Sequence, residues 1–179
     1  MLVGFLAVIM LAQATTVGPP LSPAPHNPVV QRTGDATVLG LIGAVDANEL
    51  EEAKLAATKA STGEVRALAT AMVKDHQLSL QTGARLAKRY SIARLLPADS
   101  AMAREHAAEM LQLNTLTGAA FDKAFIENTL ADHKKLIARI NGSLLTVATR
   151  QPVKAYARSL VPRLMVHQQA EEKWLAAHP

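Results

Sequence analysis

The 179-residue chain contains no cysteine, which excludes disulfides, thiolate metal sites and cysteine nucleophiles. Aromatic residues make up only 3% and β-branched runs are few, while alanine and leucine dominate, a composition that points to an all-α domain. Charge is not gathered in blocks either. The net charge is +4, and Lys and Arg stand beside acidic residues along helical stretches, the pattern of a solvated surface and not of a nucleic-acid groove. No Ser-His-Asp or phosphate-binding signature is found. The apolar run at 1–14 is too short for a spanning helix, which takes about 20 residues.

That run is uncharged and ends in Ala12-Gln13-Ala14, the small-x-small form that signal peptidase cleaves. Residues 1–14 are expected to be a signal peptide cut after Ala14, although no Lys or Arg precedes the apolar core. With no Cys for a lipid anchor, the expected product is periplasmic or secreted, without stable membrane insertion. Residues 15–33 carry Pro19, Pro20, Pro23, Pro25 and Pro28, which deny helix and favour an extended linker. Residues 34–179 then form one domain, large enough to bury a core.

Within it, apolar residues recur at three- and four-residue steps in four long stretches. The first helix is expected after Gly34-Asp35, with Asp35 as N-cap, and carries Val38, Leu41, Ile42, Val45, Glu49, Glu52, Ala53 and Ala56 on one stripe. The second starts at Glu64 and carries Val65, Leu68, Ala69, Met72, His76, Leu80 and Leu86. A long connection follows, with a short amphipathic helix through Met102, His106 and Met110; His106 reads as an ordinary surface or half-buried histidine. The third long helix carries Phe125, Ile126, Leu130, His133, Leu136 and Ile140, and the fourth, from Pro152, carries Val153, Ala157, Leu160, Leu164, His167, Glu171 and Trp174. Two tight hairpins joined by a long, helix-containing crossover between helices 2 and 3 is the connectivity of a ferritin-like four-helix bundle.

Each long helix spends core positions on polar side chains. Glu49 and His76 lie roughly 18 to 21 Å from the first hairpin turn, and His133 and His167 roughly 24 to 26 Å from the second, in helices about 40 Å long. All four therefore fall near mid-bundle and can share one layer. Buried polar groups without partners cost roughly 1 to 3 kcal/mol each, so the layer needs an explanation. Either three neutral imidazoles and a carboxylate bind one transition ion, of zinc, iron, copper, nickel or manganese type, or the four groups bond to one another and fix helix register. In the metal reading, Glu52, Asp75, Asp132 and Glu171 are candidates to orient the rings or complete the shell.

The ordered motifs Asn48-Glu49-Leu50, Glu64-Val65-Arg66, Met72-Val73-Lys74-Asp75-His76, Leu116-Thr117-Gly118-Ala119-Ala120-Phe121-Asp122, Asp132-His133 and Val161-Pro162-Arg163-Leu164 followed by His167 resemble a bacterial exported family. It is catalogued as domain of unknown function 4142 and often labelled a predicted outer-membrane protein. The resemblance covers the chain from about Asp35 and implies a ferritin-like fold with polar positions at Glu49, His76, His133 and His167. It implies no established activity, and the helical pattern does not suit a spanning barrel.

A di-iron oxidase needs Glu-x-x-His on two helices. Val73, Leu130 and Leu164 stand three residues before His76, His133 and His167, so that enzyme is disfavoured. Two expectations follow: a non-enzymatic or weakly redox-active bundle binding one transition metal for storage, sensing or handling, or a structural or stress-related interaction protein without metal. Protein partners are not legible.

Overall fold

The structure, a computed structural model, describes residues 28–93 and 100–179, with side chains described from residues 34 and 101 onward in the two segments. The expected signal peptide and residues 15–27 of the expected linker lie outside the described residues. The elements are α1 (Pro28–Lys59), α2 (Gly63–Arg89), α3 (Ser100–Thr115), α4 (Gly118–Arg139), a π turn (Ile140–Leu144), α5 (Leu145–Val147) and α6 (Gln151–Ala177). The fold is an all-α bundle: α1 packs chiefly on α2 and α4 on α6, and contacts of α2 with α6 and of α1 with α4 join the hairpins. Helix α3 crosses between the hairpins and lies against α4 and α1. Among the described residues, no helix is long and apolar enough to cross a membrane.

Two sequence expectations need correction at the start of α1. The helix begins at Pro28, not after Gly34-Asp35, so 28–33 is helical and not extended linker. Pro28 is compatible with a first helical position, where no N–H is needed, and no further proline follows in the helix. Asp35 is therefore inside α1 and is not its N-cap.

The Asp35 carboxylate, fully buried, instead clasps the turn at 148–150. It accepts from the backbone N–H of Thr149 at 2.8 Å and of Arg150 at 3.1 Å, from Thr149 Oγ1 at 3.0 Å and from Arg150 Nη1 at 2.7 Å. Gly34 lets the helices approach here, since a Cβ would overlap the Val147 carbonyl. A mirrored clasp closes the other hairpin. Asp122, on α4, accepts from Ser61 N at 2.8 Å, Ser61 Oγ at 2.8 Å and Thr62 N at 2.9 Å. Each hairpin turn is thus held by an aspartate from the opposite hairpin, which satisfies N-terminal helix donors that would otherwise be orphaned.

Burial alone would raise both carboxyl pKa values. Hydrogen bonds from Thr149 and Arg150 at Asp35, and from Ser61 and Thr62 at Asp122, overcome it and hold both below the usual carboxylate range. A depressed native pKa makes the unfolded chain the stronger proton binder, so this stabilisation is present above the unfolded value and lost as pH falls through the native one. An Asp35→Asn/Asp122→Asn variant is expected to melt well below the parent near about pH 6 and to converge with it below about pH 3; thermal scans against pH check this.

The core is divided. One apolar cluster gathers Leu39, Ile42, Ile140, Leu144, Val153 and Leu160, and the other gathers Ala56, Val65, Met72, Phe121, Phe125 and Trp174. Along α1 and α6 the chain passes from the first cluster to the second, and along α2 and α4 it passes back. Each passage crosses the same level, where Glu49, His76, His133 and His167 stand.

Candidate metal centre

Helical periodicity delivers these four side chains to one level because each occupies a core-facing turn between apolar ones. Glu49 and His133 are fully buried, and His76 and His167 nearly so. The rings lie 6.0 Å apart for His76 and His133, 5.9 Å for His76 and His167 and 5.2 Å for His133 and His167. Ligand atoms of the three histidines fall within 4.8 Å of one another, and so do those of Asp46, Glu49 and His76.

Every ring has one nitrogen held by a carboxylate. His76 Nδ1 meets Asp46 Oδ1 at 2.9 Å, His133 Nδ1 meets Glu171 Oε2 at 3.0 Å, and His167 Nε2 meets Asp75 Oδ2 at 3.1 Å. Ser79 Oγ donates to the second Asp46 oxygen at 2.6 Å and fixes it further. An ionised carboxylate only accepts, so the nitrogen facing it carries the hydrogen, and the other nitrogen of a neutral ring is left as a lone pair. Those other nitrogens are His76 Nε2, His133 Nε2 and His167 Nδ1. All three are buried without a hydrogen-bond partner, as are both Glu49 carboxylate oxygens. His76 Nε2 lies 3.2 Å from Glu49 Oε2 and His133 Nε2 lies 3.7 Å from Glu49 Oε1. These are contacts of charge without hydrogen-bond alignment, so they do not satisfy the five atoms.

The charges of the layer act on one another. Burial pushes the Glu49 carboxyl up, against the pull of His133 and His76. Burial works against charge on His133, but Glu49 and the hydrogen bond to Glu171 outweigh it and raise the ring to about 9; His76 is raised in the same sense by Glu49 and Asp46. Glu49, His76 and His133 thus form one electrostatically coupled set. His167 goes the other way, lowered to about 4 by burial and by the neighbouring His133 and His76, with Asp75 only partly compensating.

The pattern described as Domain of unknown function (DUF4142) matches residues 20–173. The chain belongs to the DUF4142 family. No curated protein and no solved structure matches it.

The structure of this DUF4142 protein brings Glu49, His76, His133 and His167 together and redistributes their expected companions. Asp75 serves His167 on α6, not its sequence neighbour His76, because adjacent helical residues point about 100° apart. Glu171 serves His133. Asp132 is no ring partner: it pairs with Lys135 at 3.2 Å. Glu52 faces away from the layer towards His106, at 3.1 Å. Asp46 is not among the residues expected from the sequence; its signal there is the acidic ladder Asp46, Glu49 and Glu52 at three-residue steps. His106, read as ordinary, is clasped by Glu52 and Glu51.

Proposed function

We propose that this DUF4142 protein binds one transition-metal ion at the bundle centre, through His76 Nε2, His133 Nε2, His167 Nδ1 and Glu49, and stores, senses or hands on that ion. Export to the periplasm or the medium, suggested by residues 1–14, belongs to the same proposal. The observation that carries it is that three buried ring nitrogens, each opposite a carboxylate-held nitrogen, and both oxygens of the adjacent Glu49 have no hydrogen-bond partner. At roughly 1 to 3 kcal/mol for each unsatisfied group, such a set rivals the whole stability of a domain, about 5 to 15 kcal/mol. A layer that served only helix register would aim these atoms at one another with hydrogen-bond geometry. Carboxylate-held histidines are also the arrangement that fixes ring orientation and raises basicity in metal sites. Three nitrogens and a carboxylate suit zinc, iron, copper, nickel or manganese.

The imidazoles bind a metal only through a free lone pair and Glu49 as its carboxylate, so any proton held on them must leave. Uptake near about pH 7 is expected to release protons and to weaken as pH falls, because protons compete for the same lone pairs. Calorimetric zinc titrations in buffers of different ionisation enthalpy measure the release. Heats independent of buffer, or uptake unchanged down to about pH 5, would contradict the assignment.

A further inference from the structure

Helix α3 does more than connect the hairpins. It lays His106 and Glu109 beside α1, where Glu52 is fully buried. Ligand atoms of Glu52, His106 and Glu109 lie within 4.8 Å of one another. Unlike the inner rings, His106 is hydrogen-bonded to a carboxylate at both nitrogens. His106 Nε2 is held by the exposed Glu51 at 3.2 Å, and its Nδ1 faces Glu52 Oε1 at 3.1 Å. The second Glu52 oxygen, Oε2, is buried and has no hydrogen-bond partner. A cavity of about 100 Å³ adjoins His106 and Glu109 and is lined also by Glu105, Asp132, Lys135 and Arg139.

We propose that Glu52, His106 and Glu109 form a second divalent-cation site, at the seam between α1 and α3 and one helical turn from Glu49. Two carboxylates and one imidazole make a harder set than the inner layer and accept zinc, manganese or ferrous iron. The cation neutralises two carboxylates whose ligand atoms otherwise lie within 4.8 Å of one another. The site lies on the α3 side of the bundle. The assignment stands on its own residues and does not require the inner layer to bind metal.

Zinc titration of the wild-type chain, followed through the imidazole ¹⁵N resonances, tests it. The His106 nitrogens are expected to shift as zinc is added, apart from any response of His76, His133 and His167. His106→Asn and Glu109→Gln are each expected to remove one zinc from the stoichiometry, or to weaken it by more than the roughly 10- to 100-fold that loss of an orienting partner costs. His106 resonances unmoved by excess zinc, or uptake in both variants equal to that of the wild type, would overturn it. Because the resonances are read on the unaltered protein, misfolding of either variant does not leave the question open. Failure at the inner layer shows separately, as silent His76 and His133 signals.

Discussion

Zinc at about a thousand times its dissociation constant is expected to stabilise the wild-type protein by about 4 kcal/mol, and chelation to reverse the gain. In a His76→Ala/His133→Ala variant the gain attributable to the inner layer disappears. The reason lies in the geometry: those two rings supply two of the three inward lone pairs, and His167 and Glu49 alone cannot enclose an ion. Differential scanning calorimetry with and without zinc measures the effect, and equilibrium dialysis with elemental analysis counts the ions. A melting temperature indifferent to zinc and chelator would favour the structural reading, in which the layer only fixes packing.

Glu49→Gln should separate binding from folding. The substitution keeps shape and removes the charge whose burial pushes the carboxyl up. The new amide can donate to one of the inward imidazole nitrogens, so the metal-free variant is expected to melt within about 1 kcal/mol of the wild type, or above it. Zinc affinity at the inner layer falls by more than about a hundredfold, because the anionic ligand is gone. Sites built for binding commonly cost stability in this way. A variant that is strongly destabilised without metal yet keeps its zinc affinity would assign Glu49 to packing and not to the ion.

The long helices were legible because the apolar period of each stretch is sustained over many turns, and the four inward polar residues were legible as interruptions of that period. Their orienting partners were not. Asp46 and His76 stand on α1 and α2, Asp75 and His167 on α2 and α6, and Glu171 and His133 on α6 and α4. Such pairings depend on how the helices are rotated against one another, which periodicity does not specify. Asp75 does not serve its neighbour His76, nor Asp132 its neighbour His133, because adjacent helical side chains point about 100° apart. Asp35 departs from the N-cap expectation for a related reason. It has the chemistry of a cap and stands near a helix start, but its donors lie 114 and 115 residues away. The Glu52–His106 contact was hidden because the position of α3 in the bundle follows from its packing on α1 and α4, not from its own pattern.

Zinc K-edge X-ray absorption on the Glu109→Gln protein carrying one equivalent of zinc tests the central claim most directly, since that variant leaves the inner layer as the built site. The account predicts four or five nitrogen and oxygen neighbours at about 2.0 to 2.2 Å, with multiple scattering from three imidazole rings. An oxygen-only shell without imidazole scattering would contradict it.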